Sequence, residues 1–393
     1  MSVQVVTRLP KAPAPDPLGA FARDLFAELP RSDQRRSAHL YLRGVLNAPG
    51  KKSIREIAAA AGAPGAAPVL QQFVNSSPWE WQPVRRALLE WAQSRTSARA
   101  WTIGWAVAPK RGVHTAGVHR RFQPELGKIV NCQAGIGLFL AGEHARLPVD
   151  WRMLLPGRWS RDAELMARAR IPAQHREQSV SAHILNLVDS LAEESVSLGA
   201  PLVADLGHDR QASALARALA DRRHDFVVGV PQATAMLPLE QDAAPEPVTA
   251  LGGEPLDARR LLARHGRTVT ALGQTAAGAG RMVRVSTCVV RLPGPARGRS
   301  LCRVFAPWPA SGAGPGRVWV TNLVHERIER LLALAATADA TVTTLGTLAD
   351  GFGLADFEGR SYPGWHHHMT LTSAAYAYEL MGRAPMRALA GVA

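Results

Sequence analysis

At 393 residues the chain is long enough for two or three domains and a sizeable buried core. With 47% hydrophobic and 20% charged residues, its composition is that of an ordinary globular protein and excludes an intrinsically disordered one. Lysine plus arginine exceed aspartate plus glutamate by 46 to 32, a formal charge of +14 that favours a polyanionic partner, nucleic acid before an anionic membrane surface. An arginine-rich proteome would give the same balance with no specific partner, so charge alone decides little.

The three cysteines, Cys132, Cys288 and Cys302, form no CxxC pair. Neither a zinc knuckle nor a disulfide framework is supported, and a reducing cytoplasm is the expected setting. The opening MSVQVVTRLPKAPAPDP lacks the apolar core of a secretory signal. The most apolar run, near Ile136 to Ala141, is too short to span a bilayer, so no membrane role is expected.

Residues 1–17 read as a Pro-rich leader. From Leu18, apolar residues at Phe21, Leu25, Phe26 and Leu29 keep helical spacing. Leu40, Leu42, Val45 and Leu46 predict a second helix closed near Pro49-Gly50. KKSIREIAAAAGAP predicts a third, with Ser53 as N-cap, Glu56 at the capping-box position and Gly62 as the stop. One or two more follow in QQFVNSSPWEWQPVRRALLEWAQ, so residues 18–97 are expected to form a helical, DNA-binding domain.

At residue 98 the texture changes. ARAWTIGWAVAP, HTAGVHRRF and NCQAGIGLFLAG are strand-like and separated by turn residues. A long polar helical stretch is predicted from about Asp162 to Leu198. PLVADLGHD then reads as a buried strand ending in an acid, SALARALADRR as a helix and HDFVVGVP as a strand. Three strands followed by alternating helix and strand imply an α/β fold, a mixed sheet with helices on its faces, over residues 98–237. Residues 238–318 read as an inserted β-rich subdomain, with EQDAAPEP, GPARGR and ASGAGPG as punctuation. RVWVTNLV returns to the main sheet, and helices complete residues 319–393.

The segment KRGVHTAGVHRRFQPELGKIVNCQAG, from Lys110 to Gly135, is the most distinctive. With YLRGVL and KKSI, QQFVNSSPWEW, PVDWRMLLPGRWSRDAELMARARIP, PLVADLGHD and GLADFEGRSYPGWHHHMTL, in that order, it resembles the insertion-sequence DDE transposase family across most of the chain. The resemblance implies a ribonuclease H-like catalytic domain with an inserted β-subdomain and an N-terminal DNA-binding region. It also implies two divalent metal ions held by Asp, Asp and Glu. Two such cations, about 4 Å apart, stabilise the attacking and leaving oxygens of an in-line displacement, and hard ions need anionic oxygen ligands.

Two of these three carboxylates are missing. In WTIGWAVAPKRG, Trp101, Lys110 and Gly112 match the family pattern, but Gly104 and Trp105 stand where aspartates belong. No acid lies between Glu90 and Glu125 to replace them. Asp205 matches the second carboxylate, although on its own it would read equally as a helix cap. Val342 stands at the third position, with Asp339 and Asp350 about one and two turns away. The ancestral Mg2+ pair is therefore expected to be lost and no cofactor is expected.

The remaining features point to binding double-stranded DNA. Lys51, Lys52 and Arg55 open the third predicted helix, which could be a recognition element or a plain surface helix. Lys110, Arg111, Arg120, Arg121 and Lys128, with His114 and His119, fall on adjacent strands or turns and could line a basic groove. Arg85 and Arg86, near three tryptophans, read more readily as surface arginines over a core. His366, His367 and His368 cannot all face one metal ion, and Cys132 lacks an activating base. The leading expectation is a transposase-like protein without catalysis that binds DNA, with a second copy of the chain kept as a candidate partner. A repurposed enzyme around Asp205, Trp105 and nearby histidines is one alternative, and an active transposase with atypical ligands is another.

Overall fold

The computed structural model describes residues 16–123, 127–193, 199–239, 254–274, 280–294, 301–309 and 316–382. Almost all of the leader and of the three Pro/Gly-rich punctuation segments lies outside the described residues, as do Glu125 and the final eleven residues.

Five helices come first: α1 (Pro17–Leu25), α2 (Ser32–Asn47), α3 (Ile54–Ala60), α4 (Ala67–Asn75) and α5 (Trp81–Gln93). The carboxylate of Asp16 accepts from the Gly19 amide, and the Ser53 hydroxyl accepts from the Glu56 amide, capping α1 and α3. Gly62, at φ +75°, supplies the left-handed residue that stops α3.

The sheet begins with β1 (Ala100–Pro109), β2 (His119–Gln123), β3 (Lys128–Ala141) and β4 (Arg146–Met153). Next come α6 (Ala163–Ala169), α7 (Val180–Glu193), β5 (Leu202–Asp205), α8 (Ala212–Asp221) and β6 (Phe226–Val230). The strand β3 runs antiparallel to β1, while β5 and β6 run parallel to it. The order β4-β3-β1-β5-β6 is the ribonuclease H-like arrangement within a mixed, open sheet. The polar helical stretch expected from Asp162 to Leu198 is instead two helices. Arg170 turns left-handed at φ 55° behind α6, and Pro172 prevents continuation.

The region between residues 235 and 321 supplies β7 (Ala235–Pro238), β8 (Leu256–Asp257), α9 (Ala258–His265), β9 (Arg267–Gln274), β10 (Gly280–Arg291), β11 (Leu301–Pro307) and β12 (Val318–Thr321). These strands continue the central sheet: β12 pairs with β6, β11 with β12, and β10 with β11, β7 and β9.

Two long helices follow, α10 (Ile328–Phe352) and α11 (Tyr362–Ala377), and a π-helical turn over Tyr378–Gly382 ends the described chain. By length and composition α10 could cross a membrane, but half of its most apolar window is buried, with Leu331, Ala335 and Ala338 packed into the core. The helix α11 is buried on every side from Gly364 to Ala377. It lies between α2, α4 and α5 on one side and β4 on the other, so the N-terminal helices and the sheet share one hydrophobic core.

Candidate functional site

In α/β sheets of this kind, ligands approach the carboxyl ends of the strands. Asp205 ends β5 there, level with Gly229 of β6. Adding a Cβ to Gly229 would bring it within 2.6 Å of Asp205 Oδ1, so the bare glycine makes room for the carboxylate. Asp205 Oδ1 accepts from the Gly207 amide at 3.1 Å, and Oδ2 accepts from Arg317 Nη1 at 2.7 Å. The other end of the same guanidinium, Arg317 Nη2, donates to Asp339 Oδ1 on α10 at 2.7 Å. One arginine thus bridges Asp205 and a second carboxylate from the helix facing it. Partial burial works against the Arg317 charge, but the two carboxylates outweigh it and hold the guanidinium above its usual range.

The neighbouring position on β1 is closed. Trp101 and Thr102 pair with Leu202 and Val203, so continuing the register brings Gly104 level with Asp205. Gly104 faces α10, and a Cβ there would meet Leu345 Cδ1 at 2.8 Å, Phe139 Cε2 at 2.9 Å and Thr341 Cγ2 at 3.0 Å. Beside it, Thr102 and Thr341, both fully buried, share a 2.7 Å hydroxyl hydrogen bond. Trp105 points to the opposite face, where the Arg121 guanidinium lies 4.8 Å from its ring centre. Val342 is 65% exposed. Among the described residues, no three His, Cys, Asp or Glu side chains gather in a group able to hold a metal ion.

The expected DNA-contacting cations fall into two groups. Lys51 is exposed but paired with Glu358 at 2.8 Å. Lys110 is half-buried and donates to the Phe357 carbonyl, while Arg111 and Arg55 are exposed. Lys52 departs from the sequence reading. It is 6% exposed, its ammonium donates to the Ala48 carbonyl and its amide donates to Asp356 at 2.8 Å. Burial lowers its pKa, and the residue ties the start of α3 to the loop after α10 instead of meeting solvent. Arg120, Arg121 and Lys128 form the second group, on the β2–β3 hairpin. Beside it opens a cleft of about 400 Å3 whose lining includes Val113, Arg120, Asn131, Arg158 and Trp159.

The histidine run is structural. His367 sits between the Val74 and Trp79 carbonyls, each 2.8 Å from a ring nitrogen, and stacks on Trp79 at 3.8 Å. His368 Nδ1 meets the Tyr41 hydroxyl at 3.2 Å, and His366 Nδ1 meets Arg85 at 3.1 Å. Arg85 is itself buried, so neither it nor the histidines offer a surface to a ligand. Burial also pushes the thiols up, Cys288 to about 12 and Cys302 to about 11, far from a reactive thiolate.

Arg317 is the residue that sequence reasoning missed. Its partners lie 112 and 22 positions away, and an arginine before a strand carries no local signal.

Residues 24–291, well over half of the chain, match the family model described as DDE superfamily endonuclease. The chain belongs to that superfamily and is a transposase-like protein. No curated protein matches it.

Proposed function

We propose that this chain is a DNA-binding member of its superfamily that no longer cuts DNA. One observation carries the reading: Arg317 ties Asp205, the residue that matches the family's second carboxylate, to Asp339 on the facing helix. A guanidinium already neutralises the surviving carboxylate. Beside it Leu345, Phe139 and Thr341 crowd Gly104, so a larger side chain there would have to displace them. These residues do not fit a pair of divalent cations, so no metal-dependent step is assigned to them.

Binding is supported by the formal charge of +14 and by the exposed cations Arg55, Arg111, Arg120 and Lys128. Lys51 can contribute by exchanging Glu358 for a phosphate, whereas Lys52 is not part of the surface. The partner is double-stranded DNA, and the setting is the cytoplasm.

A salt titration of duplex binding, with and without Mg2+ or Mn2+ and scored for nicking in the same tubes, tests the reading. Binding that weakens steeply with salt and leaves the duplex intact is the expected result. Metal-dependent nicking, lost on Asp205→Asn, would overturn the inactive half of the proposal. Absence of binding at low salt would overturn the other half.

A further inference from the structure

The β2–β3 hairpin carries an unusual pair of side chains. Phe122 and Ile129 are direct cross-strand partners, and they are 56% and 57% exposed. A solvated hairpin ordinarily places polar residues there, because two large apolar side chains on one exposed face invite aggregation. The next pair inward on the same face is Arg120 with Asn131, and these two line the adjoining cleft with Arg158. Lys128 follows Ile129 at the outer end and is exposed. From Trp91 to Gly142 the sequence has seven lysines and arginines against a single acid, Glu125. Arg120 and Arg158 on one side and Lys128 on the other therefore flank the apolar pair.

We propose that this hairpin bends duplex DNA by inserting the Phe122–Ile129 pair into the minor groove as an apolar wedge. The inference rests on the DNA-binding reading above and adds to it the groove and the mode of contact. Proteins that bind the minor groove commonly insert one or two apolar side chains at a base step. The step partly unstacks, the duplex kinks toward the major groove, and the side chains replace the lost stacking contact. The cations beside the wedge, Arg120 and Arg158 toward the cleft and Lys128 outside it, are then available to phosphates flanking the kink.

Other occupants fit less well. A second copy of this hairpin would bring like charges together, which opposes pairing. Two side chains offer too little apolar area to hold a bilayer surface firmly.

The test uses the full chain and a duplex of about 30 base pairs, labelled at both ends for energy transfer. Transfer should rise on binding, and a central TA step or a two-base mismatch should be preferred, because either is easier to unstack. The Phe122→Ala, Ile129→Ala double variant should abolish the rise and bind about tenfold more weakly, with an unchanged salt slope. Arg120→Ala should keep the bend and reduce the slope by about one. Since all three residues are exposed, far-ultraviolet circular dichroism should show each variant folded.

A double variant that bends the duplex as well as the parent does would overturn the wedge while leaving DNA binding intact. So would a variant whose only change is in self-association or in binding to phosphatidylglycerol vesicles. If the parent chain bound no duplex at low salt, the underlying reading would fail first, and the wedge with it.

Discussion

Arg85 of α5 and Asp150 of β4 stand 2.7 Å apart across the seam between the N-terminal helices and the sheet. The same guanidinium donates from Nε to the Thr370 hydroxyl at 2.8 Å and from Nη1 to the Trp151 carbonyl at 3.0 Å. Nη2 reaches the His366 carbonyl at 3.1 Å. Three elements distant in sequence therefore meet on one side chain. Burial draws the pKa of Arg85 down to about 10, with Asp150 opposing, so it is still charged at neutral pH.

Arg85→Ala should consequently be severe. It leaves Asp150 with Arg152, at 2.9 Å, and the Trp151 amide, and removes a donor from the Thr370 hydroxyl and from the Trp151 and His366 carbonyls. Breaking a buried pair by removing one side typically costs about 3–5 kcal/mol. Urea unfolding monitored by tryptophan fluorescence should show that loss in a single transition for helices and sheet together. Separate transitions would argue against a shared core.

Placing a carboxylate on β1 at Gly104 should not create a metal site. Gly104→Asp would force its Cβ against Leu345, Phe139 and Thr341 and bury a charge beside them. Overpacking alone costs about 1–3 kcal/mol, and an unpaired buried charge adds to it. A lower midpoint of thermal unfolding, with no metal-dependent nicking gained, is the expected outcome.

Arg317→Gln should behave differently. The arginine and Asp339 are about half exposed, and Asp205 is 30% exposed, so solvent screens the bridge. Loss of stability should stay within about 1 kcal/mol for each exposed pair. Calorimetric titration with Mn2+ should then detect weak single-ion binding to the freed carboxylates, with the duplex still uncut. A variant that cuts DNA would mean that the arginine alone suppresses catalysis.

The buried histidines predict acid sensitivity. Burial pushes His183 and His368 down to about 4, and His366 well below its ordinary 6.5. Burial likewise takes His367 down to about 4, with its two carbonyl contacts opposing. Each folded-state value lies below the unfolded one, so between about pH 6.5 and 4 the unfolded chain binds more protons and stability rises with pH. The contribution is complete above about 6.5 and is lost as pH falls through that window, by up to about 1.4 kcal/mol per pH unit for each group. Urea midpoints measured from pH 7.5 to 5 should fall accordingly, and His368→Gln should make the fall shallower. A flat profile would contradict the assignment.

Much of this architecture was legible because local signals agreed with the fold. Ser53 and Gly62 bracket α3, and LVAD ends β5 on its acid, as the residue types predict. The strand β4 was passed over although Leu147, Val149, Trp151 and Met153 alternate inward, because Pro148 and Asp150 interrupt its β-forming residues. The helix α9 sits in a region read as β-rich, where ARRLLARH is too short to outweigh the surrounding strands. Gly104 and Val342 stand where the family resemblance puts carboxylates, but nothing local indicated that Arg317 would bridge Asp205 and Asp339. The burial of Lys52 was equally hidden. Its partners Ala48 and Asp356 lie on either side of it, and only the fold brings the distant one close.

The placement of α11 also bears on biosynthesis. The helices α1 to α5 leave the ribosome well before α11, which packs against three of them. Until α11 arrives, the surfaces of α2, α4 and α5 that it covers lack that partner, and Tyr41 lacks His368. Completion of the shared core is thereby deferred until α11 has been made, and a nascent chain stalled before Tyr362 would be a natural client for chaperones.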